Sequence, residues 1–281
     1  KGSIGSMLAM SSLNKDLASR MDLIASKTKL IKILDDLGYN SSIFFPHHYF
    51  LKETEKIAFD NHFPYKSNFS GLILLKSIFE GEFRFDAGYQ LGEWSDEYQG
   101  YSNDLMFRNE KLKFLSSYKK DKHFLYSHSS YPGHTQNSGK CLRENEHELW
   151  FNRLKIANKE MQDDIKGVVE NNKNSIIIIA GDHGPALKNN CSGLGHLDPK
   201  NISYDDVWDV MRTFLAIKWP DEYEKKYLKK IITLQDVFPA ILSNMFDDPK
   251  LFDLLRPKPV TINSTNPNLV IDSGVLKIID D

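Results

Sequence analysis

The chain has 281 residues, of which 41% are hydrophobic and 26% charged, and its formal net charge is −2. This composition is typical of a globular protein, and the near-neutral charge gives no electrostatic basis for binding nucleic acid. No apolar run approaches the roughly 20 residues needed to cross a bilayer. Two cysteines, Cys141 and Cys191, are too few for a disulfide scaffold or a cysteine-rich zinc site.

The first predicted element is an amphipathic helix in the segment SKTKLIKILDDLGYN. Leucine and isoleucine recur in it at helical spacing, Ser26 is a candidate N-cap, and Gly38 is a candidate stop after the helix. The segment SSIFF at 41–45 is predicted to be a strand. Helix, Gly-Tyr turn and strand together predict an αβ unit.

Further along the chain, predicted strands alternate with helices. The aromatic and charged region 46–122 is predicted to form helices and long loops over a sheet edge. The other predicted elements are strands at 123–130, 175–180 and 212–220, helices at 144–171 and 234–246, and a terminal hairpin within 259–281. Alternating strands and helices predict an α/β protein, specifically a three-layer αβα sandwich around a largely parallel sheet. We expect one domain over 1–281.

The most apolar strand, 175–180, runs directly into the sequence Gly-Asp-His-Gly. Adjacent side chains inside a strand point to opposite faces, but Gly181 and Gly184 would allow the backbone to turn so that Asp182 and His183 converge. Carboxylate and imidazole are natural ligands for Zn²⁺, Mn²⁺ or Mg²⁺. The alternative is that Asp182 caps a turn and His183 is an ordinary exposed loop residue.

Two further histidines follow similar patterns. His134 lies in a loop after the predicted strand 123–130, and His196 follows His183 by 13 positions in the segment GLGHLD. In open α/β sheets, ligands bind beyond the carboxyl ends of the strands. Taken alone, each histidine fits an ordinary loop residue equally well. The remaining histidines are interpreted as structural or surface residues: His47, His48, His62, His123, His128 and His147.

Taken in order, five segments resemble the alkaline phosphatase superfamily, and in particular its sulfatase-like branch. That branch includes membrane-anchored phosphoglycerol and phosphoethanolamine transferases. The segments are KLIKILDDLGYNSSIFF, KHFLYSHSSYPGH, the long helix leading into NSIIIIAGDHG, RTFLAIKWP and ITLQDVFPAIL. Each is weakly specific alone, but their order over most of the chain makes the resemblance specific.

The resemblance implies roles for four residues. Asp182 and His183 match two ligands of a divalent metal ion, which would be Mn, Zn, Mg or Ca. His134 and His196 match histidines that contact the substrate or the leaving group. Two-metal members carry an aspartate four residues before the first of these histidines, whereas this chain has Ser130 there. The resemblance therefore implies one tightly held metal.

The N-terminal segment KGSIGSMLAM resembles the stretch after the family's nucleophile, with Ser3 matching the family's serine. This register places the nucleophile directly before Lys1, and the first strand with an acidic metal ligand further upstream. A formylglycine sulfatase would have proline and arginine where this chain has Gly2 and Ile4, so the register favours a threonine or serine nucleophile. Ser3 is the fallback nucleophile within the chain, and the 281 residues alone are expected to be inactive.

The resemblance implies metal-dependent transfer or hydrolysis of a phosphoryl ester on an envelope lipid or glycan. The alternatives are a sulfuric ester hydrolase or phosphodiesterase, and a non-catalytic sulfatase-like binding domain. The resemblance implies a protein that works on the extracytoplasmic face of a membrane and meets the membrane only through segments outside this chain. A disulfide between Cys141 and Cys191 would agree with that location, and two free thiols are the alternative.

Overall fold

The computed structural model describes about three fifths of the chain, and these residues divide into two compact units. One unit holds a parallel sheet and two long helices, and the other holds an antiparallel strand pair, three helices and a terminal sheet. The described residues are 7–10, 24, 27–46, 57–63, 100–118, 122–133, 145–188, 203–221, 226–256, 260–261, 269–272 and 275–278.

The predicted amphipathic helix, α1, spans Lys29–Asp36. The Thr28 hydroxyl accepts the Ile31 backbone N–H at 3.4 Å, which is the geometry of a side-chain N-cap. The predicted N-cap, Ser26, lies outside the described residues. Gly38 has φ +78°, so it ends the helix in the left-handed conformation that a side chain would disfavour. The predicted helix and its glycine stop are confirmed.

The parallel sheet has three strands in the order β2-β1-β3. Strand β1 spans Asn40–Phe44, β2 spans Asn61–Phe63 and β3 spans His123–Ser127. Both outer strands run parallel to β1, and Ile43 is in register with His62 on one side. The sheet and its helices confirm the α/β class. The carboxyl ends of all three strands therefore lie at one edge, where loops of such sheets bind ligands.

Helix α2, Gly100–Ser117, covers this sheet through aromatic side chains. Phe107 is buried with Phe44 and Phe63, and Phe114 packs against the same cluster. The Phe44 ring centroid lies 5.1 Å from that of Phe114 and 6.1 Å from that of Phe63. Each fully buried phenylalanine contributes roughly 1.5–3 kcal/mol to folding, so this cluster anchors α2 on the sheet.

Helix α3, Glu146–Asn171, packs along α2 and closely matches the prediction of 144–171. The two helices are packed side by side at Gly167, where a Cβ would be in ordinary van der Waals contact, 3.6 Å, with the Leu115 Cβ. The region 46–122 was predicted to hold helices and loops, and it also contributes strand β2. Three residues are too few to show a strand periodicity, which explains why β2 was missed.

The other unit contains β4, Ile177–Ala180, then α4, Tyr204–Met211, and β5, Leu215–Lys218. The two strands pair antiparallel, with Ile178 opposite Ile217. This pair departs from the parallel arrangement that alternating strands and helices predict. Because β5 begins beside the carboxyl end of β4, it can only run back along it.

Helices α5, Val237–Met245, and α6, Pro249–Leu255, complete this unit, with a 3₁₀ turn at Leu234–Asp236 before α5. The helix predicted at 234–246 is confirmed. The tail forms a three-stranded antiparallel sheet, one strand more than a hairpin. Its strands are β6, Val260–Thr261, β7, Leu269–Asp272, and β8, Val275–Ile278. Among the described helices, none is long and apolar enough to cross a bilayer.

Candidate metal centre

The candidate site begins at the carboxyl end of β4. The isoleucines of this strand were expected to be covered on both faces, but they are half-buried and Ala180 is exposed. In the described part of the chain β4 hydrogen-bonds to one neighbouring strand, β5. A strand with one neighbour keeps partial solvent access, so the polar residues that follow β4 open towards water.

Two glycines let the turn after β4 lie directly on the segment that leads into β5. A Cβ at Gly181 would overlap the Thr213 hydroxyl, and a Cβ at Gly184 would overlap the Asp209 carbonyl and lie 2.9 Å from that of Arg212. Neither glycine has a positive φ. The glycines were expected to permit a special backbone turn, but what they permit is a close approach of two backbones.

Asp182 and His183 converge at this turn, as the sequence predicts. Asp182 Oδ2 lies 3.7 Å from His183 Nε2, and both side chains keep partial solvent access. His183 Nδ1 lies 2.7 Å from the Gly184 carbonyl oxygen. Since a carbonyl only accepts hydrogen bonds, Nδ1 carries the proton in the neutral ring, and Nε2 presents its lone pair on the side of Asp182.

This arrangement fits part of the coordination shell of a divalent ion. Two ligands with bonds of about 2.0–2.2 Å to one ion have donor atoms roughly 3.0–3.5 Å apart, so a small side-chain rotation suffices. A metal-bound histidine usually donates its other N–H to a carbonyl or carboxylate, as His183 does to Gly184. Over the described ranges, no group of three or more ligand-type side chains is assembled. Asp182 and His183 therefore supply two donors.

Asp209, on α4, holds the loop that follows this pair. Its carboxylate accepts the backbone N–H of Leu187 at 3.0 Å through Oδ1 and that of Lys188 at 2.6 Å through Oδ2. Its carbonyl accepts the N–H of Ala186, which has φ +53°. Nothing in the local sequence marks Asp209, because its partners are 21 and 22 positions away. Sequence reasoning therefore missed it.

A family model described as Sulfatase matches residues 7–247, which is most of the chain. The chain belongs to the sulfatase family. No curated protein and no solved structure matches it. Sulfatase-family enzymes are hydrolases of sulfate and phosphate esters and generally use a divalent metal ion. The match supports the alkaline phosphatase superfamily expected from the five segments.

Three other predicted site residues of this sulfatase-family chain, His134, His196 and Ser3, lie outside the described residues. The same is true of Cys141 and Cys191. The structure therefore brings together two of the predicted site residues, Asp182 and His183, and the roles of the other three stay predictions.

Strand β3 leads towards His134. The described chain reaches Gly133, the residue directly before it. His128 follows the last residue of β3, donates its backbone N–H to the Phe44 carbonyl at 3.0 Å and packs its ring 6.1 Å from that of Phe45. These contacts agree with the structural interpretation of His128.

Proposed function

We propose that the full-length protein is a metal-dependent enzyme that transfers or hydrolyses a phosphoryl ester, using Asp182 and His183 as metal ligands. The observation that carries this proposal is the convergence of Asp182 Oδ2 and His183 Nε2 at 3.7 Å, with the histidine oriented by the Gly184 carbonyl. Both side chains keep partial solvent access. Membership of the sulfatase family supports the ester chemistry.

In this proposal, a threonine or serine directly before Lys1 attacks the phosphorus atom in line, and the leaving alkoxide departs as the new P–O bond forms. A divalent ion held by Asp182 and His183 would supply Lewis acidity, which would lower the pKa of the attacking hydroxyl and polarise the phosphoryl oxygen. His134 and His196 contact the equatorial oxygens or donate a proton to the leaving oxygen. An acceptor hydroxyl, or water, then releases the phosphoryl group.

Phosphoryl rather than sulfuryl chemistry is supported by the N-terminal register. Gly2 and Ile4 stand where the formylglycine signature has proline and arginine. The resemblance to the transferases supports three further parts of this proposal. These are an envelope lipid or glycan substrate, an extracytoplasmic location and a membrane anchor outside these residues. A disulfide between Cys141 and Cys191 would suit that location, and thiol titration of the denatured, unreduced protein distinguishes it from two free thiols.

The test compares the full-length protein with its Asp182→Asn and His183→Gln variants, and with His147→Gln as a matched control. His147 is exposed near the start of α3. We expect each site variant to lose bound metal, measured by elemental analysis, and more than about 100-fold in kcat/KM on bis(4-nitrophenyl) phosphate. The control should keep both. Unchanged metal content and turnover in the site variants would refute the assignment.

The same assay separates the alternatives. Turnover of 4-nitrophenyl sulfate without turnover of phosphate esters would indicate a sulfuric ester hydrolase. Metal binding without turnover of either substrate would indicate a non-catalytic binding domain. Product analysis with a glycerol or sugar acceptor separates transfer from hydrolysis, because both reactions share the same nucleophile and metal.

A further inference from the structure

A cluster of ionisable side chains is buried between α2 and α3. The Lys111 side chain is 1% exposed and that of Glu160 is 2% exposed. Lys111 Nζ lies 2.6 Å from Glu160 Oε1 and 2.7 Å from Asp164 Oδ2. One ammonium group is thus shared by two carboxylates on successive turns of α3.

Stability alone does not explain this cluster. Removing charges from water is costly, and apolar residues of similar volume often stabilise a protein as well or better. Burial raises the pKa of the Asp164 carboxyl despite the nearby Lys111 ammonium, and Asp164 Oδ1 has no hydrogen-bond partner among the described residues. The same two helices are also joined by a more exposed ion pair, between Arg108 and Asp163 at 3.6 Å. The cluster therefore calls for a role other than holding the helices together.

The second carboxylate oxygen of Glu160 contacts a residue outside the two helices. Ser129 Oγ donates to Glu160 Oε2 at 2.7 Å and accepts the backbone N–H of Tyr131 at 3.2 Å. One carboxylate thus joins Lys111 on α2 to Ser129, two residues after β3. Both oxygens of Glu160 are engaged, so the carboxylate cannot rotate without breaking a charge-assisted bond.

We propose that Lys111, Glu160 and Ser129 form a relay that positions the loop 129–133 and, through it, His134. The role of His134 rests on the proposed function. The loop lies at the carboxyl edge of the parallel sheet, where ligands of such folds bind. The relay transmits the fixed spacing of two long helices to the loop that follows β3. These residues are positioning residues, since none of them contacts the reacting atoms in this proposal.

The most selective variant is Ser129→Ala. It removes the hydrogen bond between the loop and Glu160 and leaves the Lys111–Glu160 ion pair in place. We expect kcat to fall roughly 10- to 100-fold, the effect of a displacement of about 1 Å at a catalytic group, with little change in KM or in the unfolding midpoint. Ser129→Thr keeps the hydroxyl and should restore most of the rate. Ser116→Ala is the matched control, since the exposed Ser116 hydroxyl bonds only to the Leu112 carbonyl of its own helix among the described contacts.

Glu160→Gln provides a second, independent break in the relay. Lys111 keeps Asp164 as its counter-ion, so the protein should fold. With the amide oxygen facing Lys111, an NH₂ donor replaces the acceptor of the Ser129 hydroxyl, so the hydrogen bond that Ser129 donates is lost. If the three residues act as one unit, the double variant Ser129→Ala/Glu160→Gln should lose no more than the larger single loss. Full additivity of the two losses would contradict the relay.

A direct readout separates this inference from the proposed function. In full-length protein with isotope-labelled histidine, the His134 ring signals, assigned with His134→Gln, should shift in Ser129→Ala and stay unchanged in Ser116→Ala. Unshifted signals would overturn the relay whatever the activity. Retained kcat in Ser129→Ala would also overturn it, and the proposed function would still stand if Asp182→Asn is inactive. Conversely, shifted His134 signals with full activity in Asp182→Asn would support the relay and refute the proposed metal site.

Discussion

Asp209 accepts the backbone N–H of Lys188 at 2.6 Å across 21 positions of sequence. Its other carboxylate oxygen accepts the N–H of Leu187, and its carbonyl accepts that of Ala186. Three consecutive amides after the Asp-His-Gly motif thus depend on one residue of α4. Since the Gly184 N–H also bonds to the carbonyl of Val210, the end of α4 serves as the base on which the metal-ligand turn rests.

Replacing this side chain should affect both stability and metal binding. Asp209→Ala leaves two backbone N–H groups without their acceptor, so we expect a loss of about 1–2 kcal/mol in the free energy of unfolding. Metal affinity should fall roughly 10-fold or more, as is typical when an outer-shell support is removed. Urea denaturation and metal titration measure the two effects. Asp205→Ala, an exposed position in the first turn of the same helix, is the control, and equal losses in both variants would contradict the assignment.

Gly184 and Gly167 offer a paired test of packing, because a Cβ would overlap its neighbours at the first position and fit at the second. A Cβ at Gly184 would overlap the Asp209 carbonyl, so Gly184→Ala should destabilise the protein by about 1–3 kcal/mol and reduce metal binding. At Gly167, in the middle of α3, a Cβ would make only ordinary contact with Leu115. Gly167→Ala should therefore stabilise by about 0.5–1 kcal/mol through helix propensity. Thermal unfolding of both variants gives the two signs, and destabilisation by Gly167→Ala would show that the helix pair cannot accept a methyl group.

Asp236, before α5, is the best-connected buried carboxylate in its unit among the described residues. It is 2% exposed, its Oδ2 accepts the N–H groups of Ile232 and Thr233, and Arg256 Nε lies 2.9 Å from its Oδ1. Asp236→Ala removes the acceptor of these donors. We therefore expect a loss of about 3 kcal/mol in the free energy of unfolding. Denaturant titration measures it against Asp253→Ala, an exposed aspartate on α6. A loss below that of the control would refute the structural role.

The pH dependence of stability should report on Asp164. Burial raises the pKa of its carboxyl above the ordinary value of 3.8, so the folded protein binds a proton more tightly there than the unfolded chain. The contribution of this group to stability is fully present below the unfolded pKa and is lost as pH rises through the folded pKa. Asp164→Asn removes this dependence and keeps an oxygen for Lys111. We therefore expect the variant to gain stability relative to the parent protein as pH rises from about 4 towards neutrality.

Chemical denaturation of both proteins across that pH range measures the difference directly. A constant difference in the free energy of unfolding would mean that the Asp164 carboxyl titrates alike in both states. Asp163→Asn is the comparison, because the Lys159 ammonium lowers the pKa of that partly exposed carboxyl and its effect on stability should run in the opposite direction with pH.

The sequence predicted those elements whose signal is local. Helix α3 was found because its apolar residues recur at helical spacing over many turns, and α1 because Gly38 marks its end. Helix α4 gave no comparable signal, since eight residues span barely two turns. The antiparallel direction of β5 was equally hidden, because a strand's periodicity is the same in either direction.

The sequence by itself determined that Asp182 and His183 follow an apolar strand and lie side by side, because adjacency and strand periodicity are properties of the local chain. Tertiary structure alone decided what supports them. Asp209 reaches its loop across 21 positions, and Glu160 reaches Lys111 across 49 and Ser129 across 31. Contacts of this kind form only when helices and strands pack together, so no pattern in the neighbouring residues predicts them.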